Sequence, residues 1–326
     1  MNESLVSVLI PTYNRYESLK KAVVSALCQS YPAIEIIITD NSDNLETENG
    51  IKQDFAANSR VIYHKNSKNI GAVLNWKKAV ELSHGDFCII LPDDDYFINS
   101  FFIEDAVKIL NRDNANLLLT ACVWGYNEDT VIASKNQKTC INGLDFYKNY
   151  LAKYAIPTIC NVFRKKALEQ VDYFYNNDFL YSDVELWLKL SKDTNISFYN
   201  IPSVYYSFHG SNIVLTMSQE KLVINSSFLE AVHKYWTKDH AYNEKELYDT
   251  YITLVGRYIL FTHSIYQFRI VEYANNVIKH LNISKTYFLR LNRSLIINYI
   301  MNTTKRSVIK SIKKPIKKAL KIFIKR

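Results

Sequence analysis

Short apolar runs alternate with helical segments through the first 125 residues. The runs have the length of buried β-strands and occupy residues 4–10, 34–39, 61–64, 87–91 and 117–124. Apolar positions three and four residues apart predict helices over residues 19–29, 47–57 and 73–82 and from about residue 101. Strands that alternate with helices across short polar connections favour an α/β fold, with a mostly parallel sheet covered by helices.

The pattern becomes less regular after residue 125. It predicts a strand over residues 156–163, a helix over 165–171 and a clear helix from Tyr181 to Leu190. Beyond about residue 215 amphipathic helices take over, with apolar side chains at helical spacing at Leu247, Tyr251, Leu254 and Tyr258. The C-terminal part of the chain is therefore expected to be helical.

The totals fit a large folded domain with an appendage. The chain has 326 residues, 48% of them hydrophobic and 22% charged, which is enough for a full-sized core. We divide it into an α/β domain (1–212), a helical C-terminal region (213–302) and a basic tail (303–326). Five scattered cysteines without a C-x-x-C pair indicate reduced thiols in a reducing compartment. No apolar run approaches about eighteen residues, so we expect no signal peptide and no membrane span.

The net charge of +8 comes from the tail. Ten of the 40 Lys and Arg residues lie between positions 303 and 326, where there is no acid, so 30 basic residues face 32 acidic residues elsewhere. A nucleic-acid-binding fold carries its basic surface on the folded domain. This distribution therefore argues against a nucleic-acid partner.

Polar clusters follow three of the predicted strands at their carboxyl ends, at residues 11–15, 40–43 and 93–95. In open α/β sheets, ligands bind outside the carboxyl ends of the strands. We therefore expect these clusters to converge on one site.

Three adjacent carboxylates, Asp93, Asp94 and Asp95, end the strand at 87–91. They repel one another, and a shared divalent cation with a preference for oxygen ligands, such as Mg²⁺ or Mn²⁺, relieves that repulsion. The alternative is an acidic turn in which one Asp caps the next helix.

Five motifs in this order resemble glycosyltransferase family 2, the inverting nucleotide-sugar transferases with the GT-A fold, of the type found in bacterial surface-polysaccharide assembly. They cover residues 5–212 and are Pro11-Thr12-Tyr13-Asn14-Arg15, Asp40-Asn41-Ser42, Asn69-Ile70-Gly71 with Asn75, Asp93-Asp94-Asp95 and Ser182-Asp183-Val184-Glu185-Leu186-Trp187. The resemblance implies a Rossmann-like, mostly parallel mixed sheet with flanking helices, followed by the helical region.

The resemblance also implies a set of nucleotide-binding residues, namely Pro11, Tyr13, Arg15, Asp40, Asn69, Gly71, Asn75 and Asp93. Pro11 and Tyr13 flank the base, Asp40 accepts a hydrogen bond from its edge, and Asp93 faces the ribose. The residues themselves leave structural alternatives open: Tyr13 as a packed turn aromatic, and Asp40 as a helix cap or Asx-turn. Gly71 would in that case only supply a positive φ.

The metal ligands implied by the resemblance are Asp94, Asp95 and His209, with Mn²⁺ or Mg²⁺ as cofactor. The triplet allows two registers, so the choice between Asp94 and Asp95 stays open. A lone His after Tyr205-Tyr206-Ser207-Phe208 is also typical of a part-buried structural residue.

Asp183 is the implied catalytic base, which takes the proton of the acceptor hydroxyl. Relatives carry Glu-Asp here, whereas this chain has Ser182 in place of the Glu. The alternative is structural: Ser182 and Glu185 have the spacing of a capping box before an apolar run. The helix dipole also lowers the pKa of Asp183, so a competent base requires partial burial or the acceptor beside it.

The basic tail has the pattern of a cationic amphipathic helix. Ile309, Ile312, Ile316, Leu320 and Phe323 lie on one stripe, and the other face carries Lys313, Lys314, Lys317, Lys318 and Lys321. Such a helix suits an anionic membrane surface, at roughly 1 kcal/mol for each base. A solvated charge run is the alternative.

These observations predict a metal-dependent inverting glycosyltransferase. It would transfer a sugar from a nucleotide-diphosphate sugar to a lipid-linked or polysaccharide acceptor, as a cytoplasmic enzyme peripheral on the inner face of the cell membrane. One alternative is a catalytically inactive GT-A-like module that binds nucleotide and membrane. A second, a nucleotidyltransferase, is disfavoured because residues 5–16 contain no glycine for a phosphate loop.

Overall fold

Strands and helices alternate in the first part of the chain, as the pattern predicts. The computed structural model describes residues 3–126, 129–133, 139–152, 160–171, 181–207 and 217–304. The first elements are β1 (Val6–Thr12), α1 (Tyr16–Leu27), β2 (Ile34–Asp40), α2 (Glu46–Phe55), β3 (Val61–Lys65), α3 (Ala72–Leu82) and β4 (Phe87–Ile90). Each predicted boundary in this part lies within a few residues of the observed one.

The middle of the chain completes the sheet. Its elements are β5 (Tyr96–Phe97), α4 (Phe102–Arg112), β6 (Ala115–Tyr126), β7 (Asp129–Ala133), β8 (Cys140–Asn142), α5 (Gly143–Asn149), β9 (Val162–Arg164), α6 (Lys165–Gln170), α7 (Ser182–Leu190) and β10 (Asn195–Ser207). The strand order is β3-β2-β1-β4-β9-β6-β10-β5, with β7 beside β6 and β8 beside β10.

The sheet is mixed, and its parallel part positions the polar clusters. Strands β3, β2, β1 and β4 are parallel neighbours, so their carboxyl ends share one edge. Strand β9 is antiparallel to both β4 and β6, and β6 is parallel to β10. Helices α1 and α4 cover the sheet with buried side chains that include Leu19, Val23, Phe102 and Leu110. The predicted mostly parallel mixed sheet with flanking helices is confirmed.

Two features of the sheet differ from the predicted pattern. Strand β1 continues through Pro11 to Thr12 instead of ending at Ile10. Pro11 pairs with Thr39 of β2 and lies beyond the last β1–β4 pair, so its missing N–H costs no bond on the β4 side. Strand β10 was not predicted, because Pro202 interrupts its apolar pattern where the register with β6 shifts, between Tyr199 and Val204.

The described residues divide into two units. One contains residues 3–149 and 160–207, and the other contains Tyr150 and the helices α8 (Gln219–Asn225), α9 (Ser227–Thr237), α10 (Glu244–Tyr266), α11 (Ile270–His280) and α12 (Lys285–Thr304). The predicted helical C-terminal region is confirmed. Within the described ranges, no helix has the length and apolar character needed to cross a bilayer.

Close packing fixes α12 on α10. The buried Asn292 donates its side-chain amide to the carbonyl oxygen of Ile252 at 3.1 Å. A Cβ atom at Gly256 would lie 2.1 Å from Asn292 Oδ1, so only glycine allows this approach.

Gly143, at the start of α5, sets the position of the chain just after α7. Its N–H donates to the carbonyl of Thr194 at 2.9 Å, and a Cβ there would lie 1.6 Å from the carbonyl oxygen of Ser191. We expect Gly143→Ala to lower the free energy of unfolding by about 2–3 kcal/mol, because backbone must move to admit the methyl group. Denaturant unfolding measures this.

Glu169→Ala is the control for that measurement. Glu169 is exposed on α6, so its truncation removes no buried contact and is expected to change the free energy of unfolding by less than about 0.5 kcal/mol. A loss at Gly143 no larger than that at Glu169 contradicts the packing explanation.

Candidate active site

The ends of β1 and β4 meet at Asp93. Its Oδ2 accepts a hydrogen bond from the Thr12 hydroxyl at 2.7 Å and one from the Tyr13 N–H at 3.4 Å, and its Oδ1 lies 3.5 Å from Arg15 Nη1. Residues about eighty positions apart in sequence therefore form one cluster, and the predicted convergence is confirmed here. Thr12 orients Asp93 through its hydroxyl hydrogen bond, a role that the sequence pattern did not predict.

Tyr13 is available at the surface. The residue is 43% exposed, and its hydroxyl donates to Asp43 at 2.5 Å. That hydrogen bond is the main reason why the pKa of Tyr13 is raised. Pro11, by contrast, lies within β1.

Asp40 ends β2 and is fully buried. Its carboxylate accepts hydrogen bonds from the Ser42 N–H at 2.7 Å and the Tyr63 hydroxyl at 2.6 Å, and Lys65 Nζ lies 3.5 Å away. Both oxygens therefore already have protein partners. The sequence pattern did not predict that Tyr63 and Lys65 contact Asp40. The position of Lys65 at the end of β3, on the same edge of the sheet as Asp40, was the available signal.

An asparagine network shapes the loop between β3 and α3. Asn66 donates to the side-chain oxygens of Asn41 at 2.9 Å and of Asn75 at 2.8 Å. The buried Asn75 in turn donates to the carbonyl of Thr39 at 2.9 Å. These bonds tie the loop to the end of β2, beside Asp40.

Asn69 and Gly71 form the turn at the tip of this loop. Asn69 Oδ1 accepts the Gly71 N–H at 2.9 Å, and Gly71 adopts a φ of +85° as the residue that precedes α3. The Asn69 side chain also interacts with Tyr13, where it lowers the pKa of the hydroxyl, so the tip of this loop lies next to the predicted base-binding tyrosine.

The three carboxylates at the end of β4 have different partners. Asp94 Oδ2 lies 3.0 Å from Arg15 Nη1, whereas Asp95 Oδ1 accepts the Ser207 N–H at 2.8 Å. Asp95 Oδ2 is buried and accepts no hydrogen bond from the residues that the structure describes. Burial, and then the charge of Asp94, raise the pKa of Asp93 to about 6 and that of Asp95 well above its ordinary value.

This arrangement fits a divalent cation. A buried carboxylate oxygen without a donor is the kind of ligand that Mg²⁺ or Mn²⁺ satisfies, and repulsion among the three acids falls when a cation is present. Over the described ranges, no three His, Cys, Asp or Glu side chains converge into a preformed cage. One or two carboxylates completed by water and substrate phosphates match the usual coordination of Mg²⁺.

Asp183 lies in the first turn of α7 and is 8% exposed. The Val184 N–H donates to its Oδ1 at 2.7 Å, but burial outweighs this bond and raises the pKa of Asp183 to about 7. Of the two conditions that the sequence interpretation allowed, burial of Asp183 or the acceptor beside it, burial is present, and its effect on the pKa exceeds that of the hydrogen bond.

The end of β10 lies beside the acids that follow β4. Ser207 donates its N–H to Asp95. Burial first, and then the negative charges of Asp95, Asp94 and Asp183, raise the pKa of Tyr206. Tyr206 is therefore within electrostatic range of Asp183 as well as of the β4 acids, a relation that sequence reasoning missed because β10 itself was not predicted.

The capping box that was the structural alternative at α7 does not form. Tyr181 is the N-cap residue, Ser182 lies inside the helix, and no side chain caps it. Glu185 instead accepts a hydrogen bond from Lys189 at 2.5 Å, and both side chains are buried. The capping-box interpretation was therefore wrong, because a buried ion pair one turn along the helix takes the Glu side chain.

Several predicted site residues lie outside the described residues. These are the metal-ligand candidate His209 and the tail lysines Lys313, Lys314, Lys317, Lys318 and Lys321. Their roles stay predictions.

The family model of glycosyl transferase family 2 matches residues 7–172, about half of the chain. Among curated relatives, an Escherichia coli protein named UDP-Glc:alpha-D-GlcNAc-diphosphoundecaprenol beta-1,3-glucosyltransferase WfaP is 28% identical over 70% of this chain and 86% of its own length. An uncharacterized glycosyltransferase of Rickettsia felis is 29% identical over 69% of this chain. The match spans only 38% of the length of that relative.

Solved structures show the same architecture. Staphylococcus aureus TarS 1–349 in complex with UDP-GlcNAc superposes with a TM-score of 0.57 at 14% identity, over 90% of this chain and 92% of that one. The mannosyltransferase PcManGT from Pyrobaculum calidifontis, in complex with GDP-Man and Mn²⁺, gives 0.55 at 13% identity, over 93% and 84%. At these identities the likeness defines the fold, which is GT-A.

The mixed sheet with its flanking helices and its structural neighbours define a glycosyltransferase with the GT-A fold. The chain belongs to glycosyl transferase family 2.

Proposed function

We propose that this protein is a metal-dependent inverting glycosyltransferase that uses a nucleotide-diphosphate sugar. The observation that carries the proposal is the end of β10, where Ser207 donates its N–H to Asp95 and the negative charges of Asp94, Asp95 and Asp183 all raise the pKa of the neighbouring Tyr206. It supports the proposal that a cation-binding pair of carboxylates and the buried Asp183 carboxyl group, with a pKa of about 7, serve one active site. This is the set of groups that base-assisted glycosyl transfer requires.

The donor binds across the carboxyl ends of β1 to β4. Tyr13 offers an exposed ring face to the base, and Pro11 lies before it. Asp40 accepts a base N–H, which requires the Tyr63 hydroxyl to give way, since that hydroxyl now occupies the carboxylate. Asp93, oriented by Thr12, faces the ribose. The loop with Asn69, Gly71 and Asn75 covers the nucleotide.

Asp94 and Asp95 hold the divalent cation, with Asp95 Oδ2 as the oxygen that has no other partner among the described side chains. His209 completes this set in the proposal. A bound Mn²⁺ or Mg²⁺ supplies Lewis-acid stabilisation of the charge on the departing diphosphate.

Asp183 takes the proton. The acceptor oxygen loses its proton to the Asp183 carboxylate and attacks the anomeric carbon from the face opposite the diphosphate. The carbon–oxygen bond to the diphosphate breaks, and its electron pair leaves with the nucleotide. A pKa of about 7 lets this base be ionised and still able to accept a proton near neutral pH.

The acceptor in this proposal is a lipid-linked glycan at an anionic membrane. Relatives named for diphosphoundecaprenol substrates motivate this part. Helix α12, which contains no acidic residue, exposes Lys285, Leu289, Arg290, Arg293 and Ile297 just before the basic tail. An exposed cationic and apolar face that runs into ten further bases suits peripheral binding at the inner leaflet.

Deleting residues 303–326 is expected to reduce binding to phosphatidylglycerol vesicles by at least about tenfold, since each base near the surface is worth roughly 1 kcal/mol. Flotation of the full chain and the truncated chain with these vesicles measures this. A matched control replaces two exposed lysines of the α/β unit, Lys52 and Lys108, with Glu and leaves binding unchanged. Equal flotation of the full and truncated chains contradicts the membrane role of the tail.

The proposed function is tested by nucleotide binding and turnover. Thermal unfolding with UDP, GDP, CDP or dTDP, each with and without Mn²⁺, is expected to show a rise in Tm for one nucleotide that requires the metal. The matching nucleotide sugar is then expected to be hydrolysed slowly in the absence of acceptor. Nucleotide binding without any turnover supports the alternative, an inactive binding module. If none of the four nucleotides binds, both the proposed enzyme and the inactive binding module are overturned.

A further inference from the structure

Arg15 forms an ion pair with Asp94, one of the carboxylates proposed to bind the metal ion. Its Nη1 lies 3.0 Å from Asp94 Oδ2 and 3.5 Å from Asp93 Oδ1. The Arg15 side chain is 39% exposed and that of Asp94 is 17% exposed, so the pair lies near the surface of the cleft. Asp95 Oδ2, one residue further on, is buried and has no hydrogen-bond donor within the described part of the chain.

Arg15 and a divalent cation compete for Asp94. A divalent ion on this carboxylate would lie a few ångströms from the guanidinium, where like charges repel strongly. Metal binding at Asp94 therefore favours the departure of Arg15. A guanidinium is always charged, and its planar N–H groups match a phosphate as well as they match a carboxylate. The diphosphate of the donor is thus a suitable second partner.

We propose that Arg15 couples metal binding to donor binding. Without a donor it stays on Asp94 and weakens the affinity for free metal ions. When the donor arrives with the metal, Arg15 moves to the diphosphate and releases Asp94 to the cation. This inference rests on the proposed function, since it requires a diphosphate and a divalent cation in this cleft.

The alternative is that Arg15 has a purely structural role. It precedes α1 and is the N-cap residue of that helix, and its contact with Asp93 also connects β1 to β4. In that case its removal lowers the stability of the protein and leaves the affinity for metal unchanged or weaker. The two possibilities predict opposite changes in one measurable quantity, the affinity for Mn²⁺ in the absence of nucleotide.

The first experiment titrates the full chain with Mn²⁺ alone and follows free Mn²⁺ by electron paramagnetic resonance. Arg15→Met is expected to bind Mn²⁺ at least about fivefold more tightly than the wild-type protein, because the competing cation is gone. Arg15→Lys keeps the charge but loses the planar guanidinium. Its affinity for Mn²⁺ is expected to lie between those of the wild-type protein and Arg15→Met. Asp95→Asn is expected to abolish this binding, so that the added Mn²⁺ stays free, which assigns the binding to this site.

Lys65→Met is the control for charge alone. It removes one positive charge at the same edge of the sheet, but Lys65 pairs with Asp40 and not with the β4 acids. Its effect on Mn²⁺ affinity is expected to be less than about twofold. An equal gain in both variants, or no gain in Arg15→Met, overturns the inference. If Arg15→Met does not fold, the Arg15→Lys titration decides in its place.

The second experiment measures the affinity for the nucleoside diphosphate that passes the nucleotide screen, with and without Mn²⁺. The factor by which Mn²⁺ improves that affinity is expected to shrink at least about fivefold in Arg15→Met, because coupling between two sites is reciprocal. An undiminished factor overturns the role of Arg15 alone. Failure of the wild-type protein to bind any diphosphate with Mn²⁺ overturns the proposed function as well, so the two failures are distinguishable.

Discussion

Replacing Asp183 with asparagine is expected to lower kcat by at least about 10³-fold, since a positioned general base contributes about 10²–10⁴-fold. Asparagine has nearly the same shape and keeps an oxygen that accepts the Val184 N–H, so α7 is not disturbed. Binding of Mn²⁺ and nucleotide is expected to stay within about twofold of wild type, because Asp183 contacts neither in the proposed mechanism. Steady-state kinetics with saturating donor, together with the nucleotide titration, measures both.

Asp193→Asn is the matched control for this substitution. Asp193 follows α7, is exposed and has a φ of +58°, a conformation that asparagine tolerates well. Its variant is expected to keep wild-type turnover. Comparable losses at both positions contradict a specific role for Asp183.

The pH dependence gives a second signature of the same group. The Asp183 carboxyl must lose its proton to act as a base, so wild-type turnover is expected to rise with pH through about 7. Because the folded-state pKa lies above the ordinary value of 3.8, the ionised form is disfavoured in the fold. The resulting destabilisation grows from about pH 4 to about pH 7 and is constant above that. Asp183→Asn is therefore expected to unfold at a higher Tm than the wild-type protein at pH 8.

Asp95→Asn is expected to reduce kcat/KM by about 10²–10³-fold, because the loss of one metal ligand removes several kcal/mol of charge stabilisation. The same variant is expected to be at least as stable as the wild-type protein when metal is absent. Asparagine still accepts the Ser207 N–H, and it removes a buried negative charge, whose cost is seen in the raised pKa of Asp95. The measurement is Tm with and without Mn²⁺, since the variant should lose the metal-induced rise.

The control for Asp95 lies at the other end of the same strand. Asp86 is exposed and precedes β4, so Asp86→Asn is expected to keep both turnover and the Mn²⁺ effect. If Asp95→Asn retains a wild-type response to Mn²⁺, its assignment as a metal ligand is wrong.

The sequence predicted best those features of the structure that depend on a single continuous segment of the chain. Strands β1 to β4 are short apolar runs that end in polar clusters, and the topology of parallel strands brings those ends together without further information. Asp183 was proposed from the resemblance of its motif, and its partial burial was one of the two conditions that chemical reasoning offered for a competent base. These features depend on local pattern and on general rules of sheet architecture.

Pairings between distant residues could not be predicted from pattern. The contacts of Arg15 with Asp94 and of Tyr63 with Asp40 join positions that no spacing rule relates. Strand β10 was missed because Pro202 breaks its alternation, and with it the proximity of Tyr206 to Asp183. At Glu185 the local rule for helix caps gave a wrong answer, because a buried partner one turn away outweighs a cap at the surface.

The buried pair of Glu185 and Lys189 has a consequence for the variation of this sequence. Breaking a buried ion pair costs about 3–5 kcal/mol, whereas replacing both members with apolar residues is often neutral. Single substitutions at either position should therefore destabilise the fold, whereas simultaneous replacement of both residues, for example by Met and Leu, should be tolerated. In a library that randomises both positions, the residues at 185 and 189 should therefore covary. A directed-evolution scheme that changes one codon at a time should recover almost no substitutions at either position.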